Sequence, residues 1–78
     1  MAITQRVKLG RWHNVYNRNK RLVGQWMVFE GKVGGFYYSG YTFDKTGEVE
    51  WDLTGSNPEY LTAIEASQAA IENIKHPN

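Results

Sequence analysis

The segment EVEWDLTGSNPEYLTAIEASQAAIENIK, residues 48–75, changes its periodicity halfway along, and that change decides the fold. In its first part Val49, Trp51 and Leu53 fall to one side and Glu48, Glu50 and Asp52 to the other, the period of a strand with one core face and one wet face. From Pro58 the spacing turns helical. Tyr60, Ile64, Ser67, Ile71 and Ile74 form a stripe, with Ala63 and Ala70 beside it, and the small residues allow close approach to a sheet. Asn57 suits an N-cap, Pro58 the first helical position, and Glu59 the positive end of the helix dipole. The helix is predicted over 58–75, because His76 precedes Pro77 and the residue before a proline resists the helical backbone. About 18 residues at a rise of 1.5 Å give a rod of roughly 27 Å, long enough to cross a four-stranded sheet. Glu65 and Glu72 lie on its solvated side.

Upstream of this segment, strand-like stretches alternate with turn signals. Arg6 to Tyr16 reads as a first strand, with Val7, Leu9 and Val15 apolar at odd positions, interrupted by Arg11 and His13. The polar run Asn17-Arg18-Asn19-Lys20 reads as a hairpin turn, where asparagine tolerates left-handed backbone. A second strand follows from Arg21 to Phe29, then a turn at Glu30-Gly31-Lys32, and a third strand from Val33 to Phe43 with rings on both faces. Gly34-Gly35 marks a bulge or a close backbone contact. Asp44-Lys45-Thr46-Gly47 makes the third turn. The fold class expected is α+β: an antiparallel sheet of about four strands over 4–53, and one C-terminal helix packed on one face in two layers.

A chain of 78 residues holds one domain, 1–78, with one small core. It has no cysteine, so neither disulfides nor thiolate metal sites assist. Three Trp, five Tyr and three Phe supply the packing instead. No long apolar run or signal-type N-terminus stands out, so the expectation is a soluble, cytoplasmic protein with no membrane contact.

Charge is divided along the chain although the total is only +1. Residues 1–33 hold seven basic side chains against the single acid Glu30, and residues 34–78 hold seven acids against Lys45 and Lys75. Such a division points to a basic surface that meets a polyanion.

The first hairpin says where that surface lies. A two- or four-residue loop pairs Tyr16 with Arg21, and then Trp12 with Gln25, Lys8 with Phe29, Leu9 with Val28 and Val15 with Leu22; only an odd loop breaks this register. Directly opposed residues share a face. One side therefore collects Val7, Leu9, Val15, Leu22, Trp26 and Val28, the core side. The other collects Arg6, Lys8, Trp12, Asn14, Tyr16, Arg21, Gln25 and Phe29, with Arg18 and Lys20 at the hairpin tip. A single helix covers one face of a sheet, so this second face is open. Cations neutralise phosphates and rings stack on bases, which makes it a candidate nucleic-acid surface. The plainer reading is that these residues form cross-strand pairs and cation–π contacts that only stabilise the sheet.

Signals of catalysis are weak. Glu48, Glu50 and Asp52 are read as a solvated strand face with edge-protecting charge rather than a cation site. His13 is read as a satisfied, buried or half-buried core histidine, and His76 has no second ligand at metal spacing. No serine–histidine–aspartate order and no phosphate loop is present. No enzyme activity, cofactor or metal is expected.

Gly24-Gln25-Trp26, Tyr41-Thr42-Phe43-Asp44 and Thr62-Ala63-Ile64-Glu65-Ala66 resemble segments of three-strand-plus-helix DNA-binding domains of the plant and integrase arm-binding type. The resemblance is architectural and covers about half the chain; the acidic strand 48–52 and the segment 54–57 have no place in it. The expected function is a small non-enzymatic nucleic-acid-binding or regulatory module, meeting DNA or RNA through its open hairpin face. The competing expectation is a protein-interaction module, for instance a phage or mobile-element accessory protein, or a homodimer formed through the same face. A small-molecule or carbohydrate binder using Trp12, Tyr37 and Tyr41 is a weaker third.

Overall fold

The computed structural model describes residues 7–53 and 59–76. Four antiparallel strands, β1 (His13–Tyr16), β2 (Leu22–Glu30), β3 (Phe36–Phe43) and β4 (Val49–Asp52), lie side by side in chain order, followed by helix α1 (Ala63–Lys75). The α+β sheet-and-helix expectation is met. Val15, Trp26, Val28 and Tyr38 from the sheet pack against Ala66, Ala70 and Ile74 of the helix, and Val28 is fully enclosed.

The first strand is much shorter than read, because the backbone turns at Gly10 (φ +72) and β1 begins only at His13. Leu9 is consequently exposed rather than in the core, although Val7 still packs against it. Arg6 lies outside the described residues.

All three hairpins turn by one device, a three-residue loop whose last residue is left-handed: Lys20, Gly34 and Gly47. In the first, Asn17 and Lys20 N–H groups bond the Arg21 and Asn17 carbonyls at 3.0 Å, and the Asn17 side chain accepts from the Asn19 and Arg21 N–H groups. The left-handed residue is thus Lys20, while asparagine acts as an acceptor. The second loop closes between Gly31 and Gly35, so β3 starts at Phe36 and not at Val33. Both glycines of the pair, Gly34 and Gly35, have left-handed backbone (φ +95 and +79), and a Cβ on Gly35 would meet the Glu59 side chain while Gly34 has open space around it, so the close backbone contact expected of the pair is not what they provide.

The odd loop length moves the first register. Tyr16 pairs with Leu22, not Arg21; a bulge at Val23 then adds a second step, so that Val15 meets Gly24, Asn14 meets Gln25 and His13 meets Trp26. Two odd steps restore the faces beyond the bulge, but Leu22 moves opposite exposed Tyr16 while Val23 packs on the core. The β3–β4 hairpin repeats this arrangement, with Phe43 opposite Val49, Thr42 opposite Trp51, and Glu50 as the extra residue.

Helix α1 starts at Ala63 rather than at 58. Thr62 is its N-cap, its hydroxyl accepting from the Glu65 N–H at 3.1 Å. The preceding chain cannot be helical, because Tyr60 and Phe36 exchange two backbone hydrogen bonds of 2.8 Å. Asn57 and Pro58 lie outside the described residues. The C-terminus is as read: His76 caps it, its N–H bonding the Glu72 carbonyl. The helix packs over β2 and β3. Edge strand β4 is therefore not the half-buried strand expected: Val49 and Trp51 are each more than half exposed, and only Leu53 reaches the core.

The β3–β4 loop is organised by one carboxylate. Asp44 accepts from the Thr46 hydroxyl, the Thr46 N–H and the Glu48 N–H through a single oxygen. These bonds, the hydroxyl first, hold its pKa below the ordinary carboxylate value, because they favour the charged form. A depressed folded-state pKa stabilises the protein above the unfolded value of about 3.9 and ceases to do so as pH falls through the folded value. Urea midpoints at about pH 6 and about pH 2 should show wild type losing more stability on acidification than Asp44→Asn, whose side chain has no charge to lose.

Candidate nucleic-acid interface

Even-numbered residues of β2 and β3 face the helix. Gly24 opposes Thr42, Trp26 opposes Gly40 and Val28 opposes Tyr38, and all six are buried. Their neighbours Gln25, Met27, Phe29, Tyr37, Ser39 and Tyr41 consequently form the helix-free face. Which side of the doubly aromatic third strand turns inward is thereby decided.

Two ring pairs stand on the helix-free face. Trp12 and Tyr41 are 5.5 Å apart between centroids, tilted by 36°; Phe29 and Tyr37 are 5.8 Å apart and near parallel at 22°. Four positions of β3 separate Tyr37 from Tyr41, roughly 14 Å at about 3.4 Å per residue. Beside the Trp12–Tyr41 pair, on the side away from Phe29, an amide relay fixes β1: Gln25 Nε2 donates to Asn14 Oδ1 at 2.9 Å, and Asn14 Nδ2 to the Tyr16 hydroxyl at 3.3 Å. Tyr37 donates to Glu59 at 3.3 Å. Partial desolvation and then the Glu59 charge raise the Tyr37 hydroxyl above its ordinary pKa, so it remains a neutral donor. Trp12 and Phe29 keep about two-fifths of their surface exposed, open to a flat partner.

Of the residues read as one surface, the structure brings together Trp12, Tyr16, Gln25 and Phe29, along with Asn14. Arg18 and Arg21 go elsewhere. Arg21 closes its loop, and its Nη1 donates to the Asp44 carbonyl at 2.9 Å, tying the first and third hairpin loops together. Arg18 and Arg21 line a cleft toward the helix C-terminus, Lys20 stands exposed in the loop, and Lys8 is exposed ahead of β1. The physical reason is the three-residue loop, which puts Leu22 where Arg21 was expected. Tyr41 and Tyr37, read only as a weak sugar platform, prove to be partners of Trp12 and Phe29.

Two other expectations need correction. Glu50 and Asp52 do not form one solvated row with Glu48, because the bulge turns Glu50 toward the cleft while Asp52 opposes Tyr41. Among the described residues no group of three or more His, Cys, Asp or Glu is placed to hold a metal ion. His13 is half-buried and stacked on Trp26 at 4.2 Å, but its buried Nε2 has no hydrogen-bond partner, so it is not the satisfied histidine expected. Among the described residues no helix is long and apolar enough to cross a membrane. Comparison with protein-family models, curated proteins and solved structures finds no match, so the resemblance to three-strand-plus-helix DNA-binding domains rests on its short segments alone.

Proposed function

We propose that the chain is a small non-enzymatic binding module that takes single-stranded nucleic acid on its helix-free sheet face. One observation carries this reading: two ring pairs, Trp12–Tyr41 and Phe29–Tyr37, stand on one face, each with one exposed ring, Trp12 and Phe29. Rings presented in this way stack on unpaired bases, a contact worth about 1–3 kcal/mol per base and indifferent to sequence. A duplex keeps its bases stacked on one another and offers no such surface. Ser39 supplies a hydroxyl between the platforms, and Gln25 and Asn14 supply amide groups beside the Trp12–Tyr41 pair. Lys8, Arg11 and Lys20, all exposed and all before β2, supply phosphate contacts at the margin, while Glu65 and Glu72 are exposed on the helix.

Fluorescence or filter titration of single- and double-stranded DNA and RNA at two salt concentrations tests it. Single strands should bind more tightly than duplex, with affinity falling as salt rises. Trp12→Ala and Phe29→Ala should each weaken binding about 5- to 150-fold, without a comparable loss of stability. No binding to any nucleic acid, or binding that ignores both substitutions, removes the reading.

A protein partner or second copy on the same face is the competing reading, and one feature favours it: the face positions of β2 and β3 from Gln25 to Tyr41 carry no charge. Sedimentation at several concentrations distinguishes it, since a dimer through these rings dissociates in Trp12→Ala and is little affected by salt.

A further inference from the structure

The cleft at the loop end of the sheet is not used by the open-face reading. It lies on the helix side, between the β1–β2 loop and the last turn of α1, with a volume of about 690 Å³. Pockets that hold small organic ligands run from roughly 300 to 1,000 Å³. Val23 and Ile74 line it with apolar surface, and among the described residues Arg18, Arg21, Lys75 and His76 share it with a single acid, Glu50. The cations arrive from two separate parts of the chain, so their convergence is a property of the fold and not of a local charged run.

Like charges gathered around a concavity repel one another, and a bound anion relieves the repulsion. Two features oppose an anion here: Glu50, and the helix C-terminus, which carries roughly half a negative charge. Three permanent cations outweigh them even with His76 neutral. Arg21 is also held in position, because one of its five N–H groups is fixed on the Asp44 carbonyl. A guanidinium so held presents its remaining donors in a fixed fork, the geometry that matches phosphate oxygens.

We propose that this cleft binds a phosphate group, held by Arg18, Arg21 and Lys75, with the remainder of the ligand lying over Val23 and Ile74. The site is separate from the ring platforms and stands whether or not the open face takes nucleic acid. Two sources of the phosphate are possible in chemical terms: a free mononucleotide, or the terminal phosphate of a strand.

Calorimetric titration of the full chain with a nucleoside monophosphate, and with an oligonucleotide bearing or lacking a 5′-phosphate, separates them. If the source is a mononucleotide, it binds alone, and Lys75→Gln and Arg21→Gln each weaken it about tenfold. If the source is a strand end, the 5′-phosphate tightens oligonucleotide binding about tenfold, and the same substitutions abolish that gain. Lys75 is exposed at the helix end, so Lys75→Gln reports on the site even where Arg21→Gln disturbs the two loops it joins. Trp12→Ala should leave the mononucleotide affinity and the 5′-phosphate gain unchanged, which keeps failure here distinct from failure of the open-face reading. Absence of both effects in the wild type, or their survival in Lys75→Gln, overturns the proposal.

Discussion

Trp26→Ala should destabilise the chain by about 3–5 kcal/mol, the cost of removing a buried tryptophan side chain from a core that closes only in part behind it. Trp26 is 7% exposed, sits at the centre of β2 between His13 and Gly40, and has His13 stacked on its indole at 4.2 Å. Gly40 cannot fill the vacated volume and the helix meets the sheet through alanines, so little can collapse inward. At roughly 0.05–0.15 kcal/mol per residue, a domain of this size holds only about 4–12 kcal/mol in all. At the low end of that range a large share of Trp26→Ala molecules should be unfolded at room temperature, and at the high end the urea midpoint should still fall by about a quarter or more. Urea denaturation followed by far-ultraviolet circular dichroism measures it; a loss below about 1 kcal/mol would show that Trp26 is not the centre of the core.

Gly24→Ala should destabilise by about 1–3 kcal/mol or more, by the opposite mechanism of excess volume. A Cβ on Gly24 would lie 2.7 Å from the Tyr41 carbonyl oxygen and closer still to the Ile74 side chain. Ile74 can rotate, whereas the carbonyl belongs to the β2–β3 ladder and cannot move without breaking register. Part of the strain should therefore be relieved by Ile74→Ala and part should not. A double-mutant cycle of Gly24→Ala with Ile74→Ala is expected to be less than additive, and strict additivity would mean that the helix does not press on this point.

Much of the fold was legible because its elements declare themselves locally. The change from alternation to helical spacing after Leu53, the turn residues around 17–20 and 44–47, and the end of the helix near Lys75 all correspond to the structure. The helix start was not legible. Asn57-Pro58-Glu59 carries every local sign of an N-terminus, yet Tyr60 is drawn into pairing with Phe36, and Thr62 caps instead. A long-range hydrogen-bonded pair overrode short-range preference. The aromatic face is half legible: the hairpin places Trp12, Gln25 and Phe29, but their partners Tyr41 and Tyr37 need the third strand's orientation, which follows only once its pairing with inward-facing Trp26 is known. Arg21 was misplaced by a single residue of loop length, since a left-handed Lys20 gives no sign of itself in sequence.

The outer hairpins share a property that concerns chain length rather than chemistry. Each contains an odd loop followed by one unmatched residue, Val23 in the first and Glu50 in the second. Sidedness in a strand is a matter of parity, and here two odd counts sum to an even one. Loop and bulge thus form one heritable unit: a single-residue insertion or deletion in either alone would turn the outer strand inside out, whereas compensating changes in both leave every side chain where it was. Related chains that keep this sheet should vary in length at these two places together or not at all.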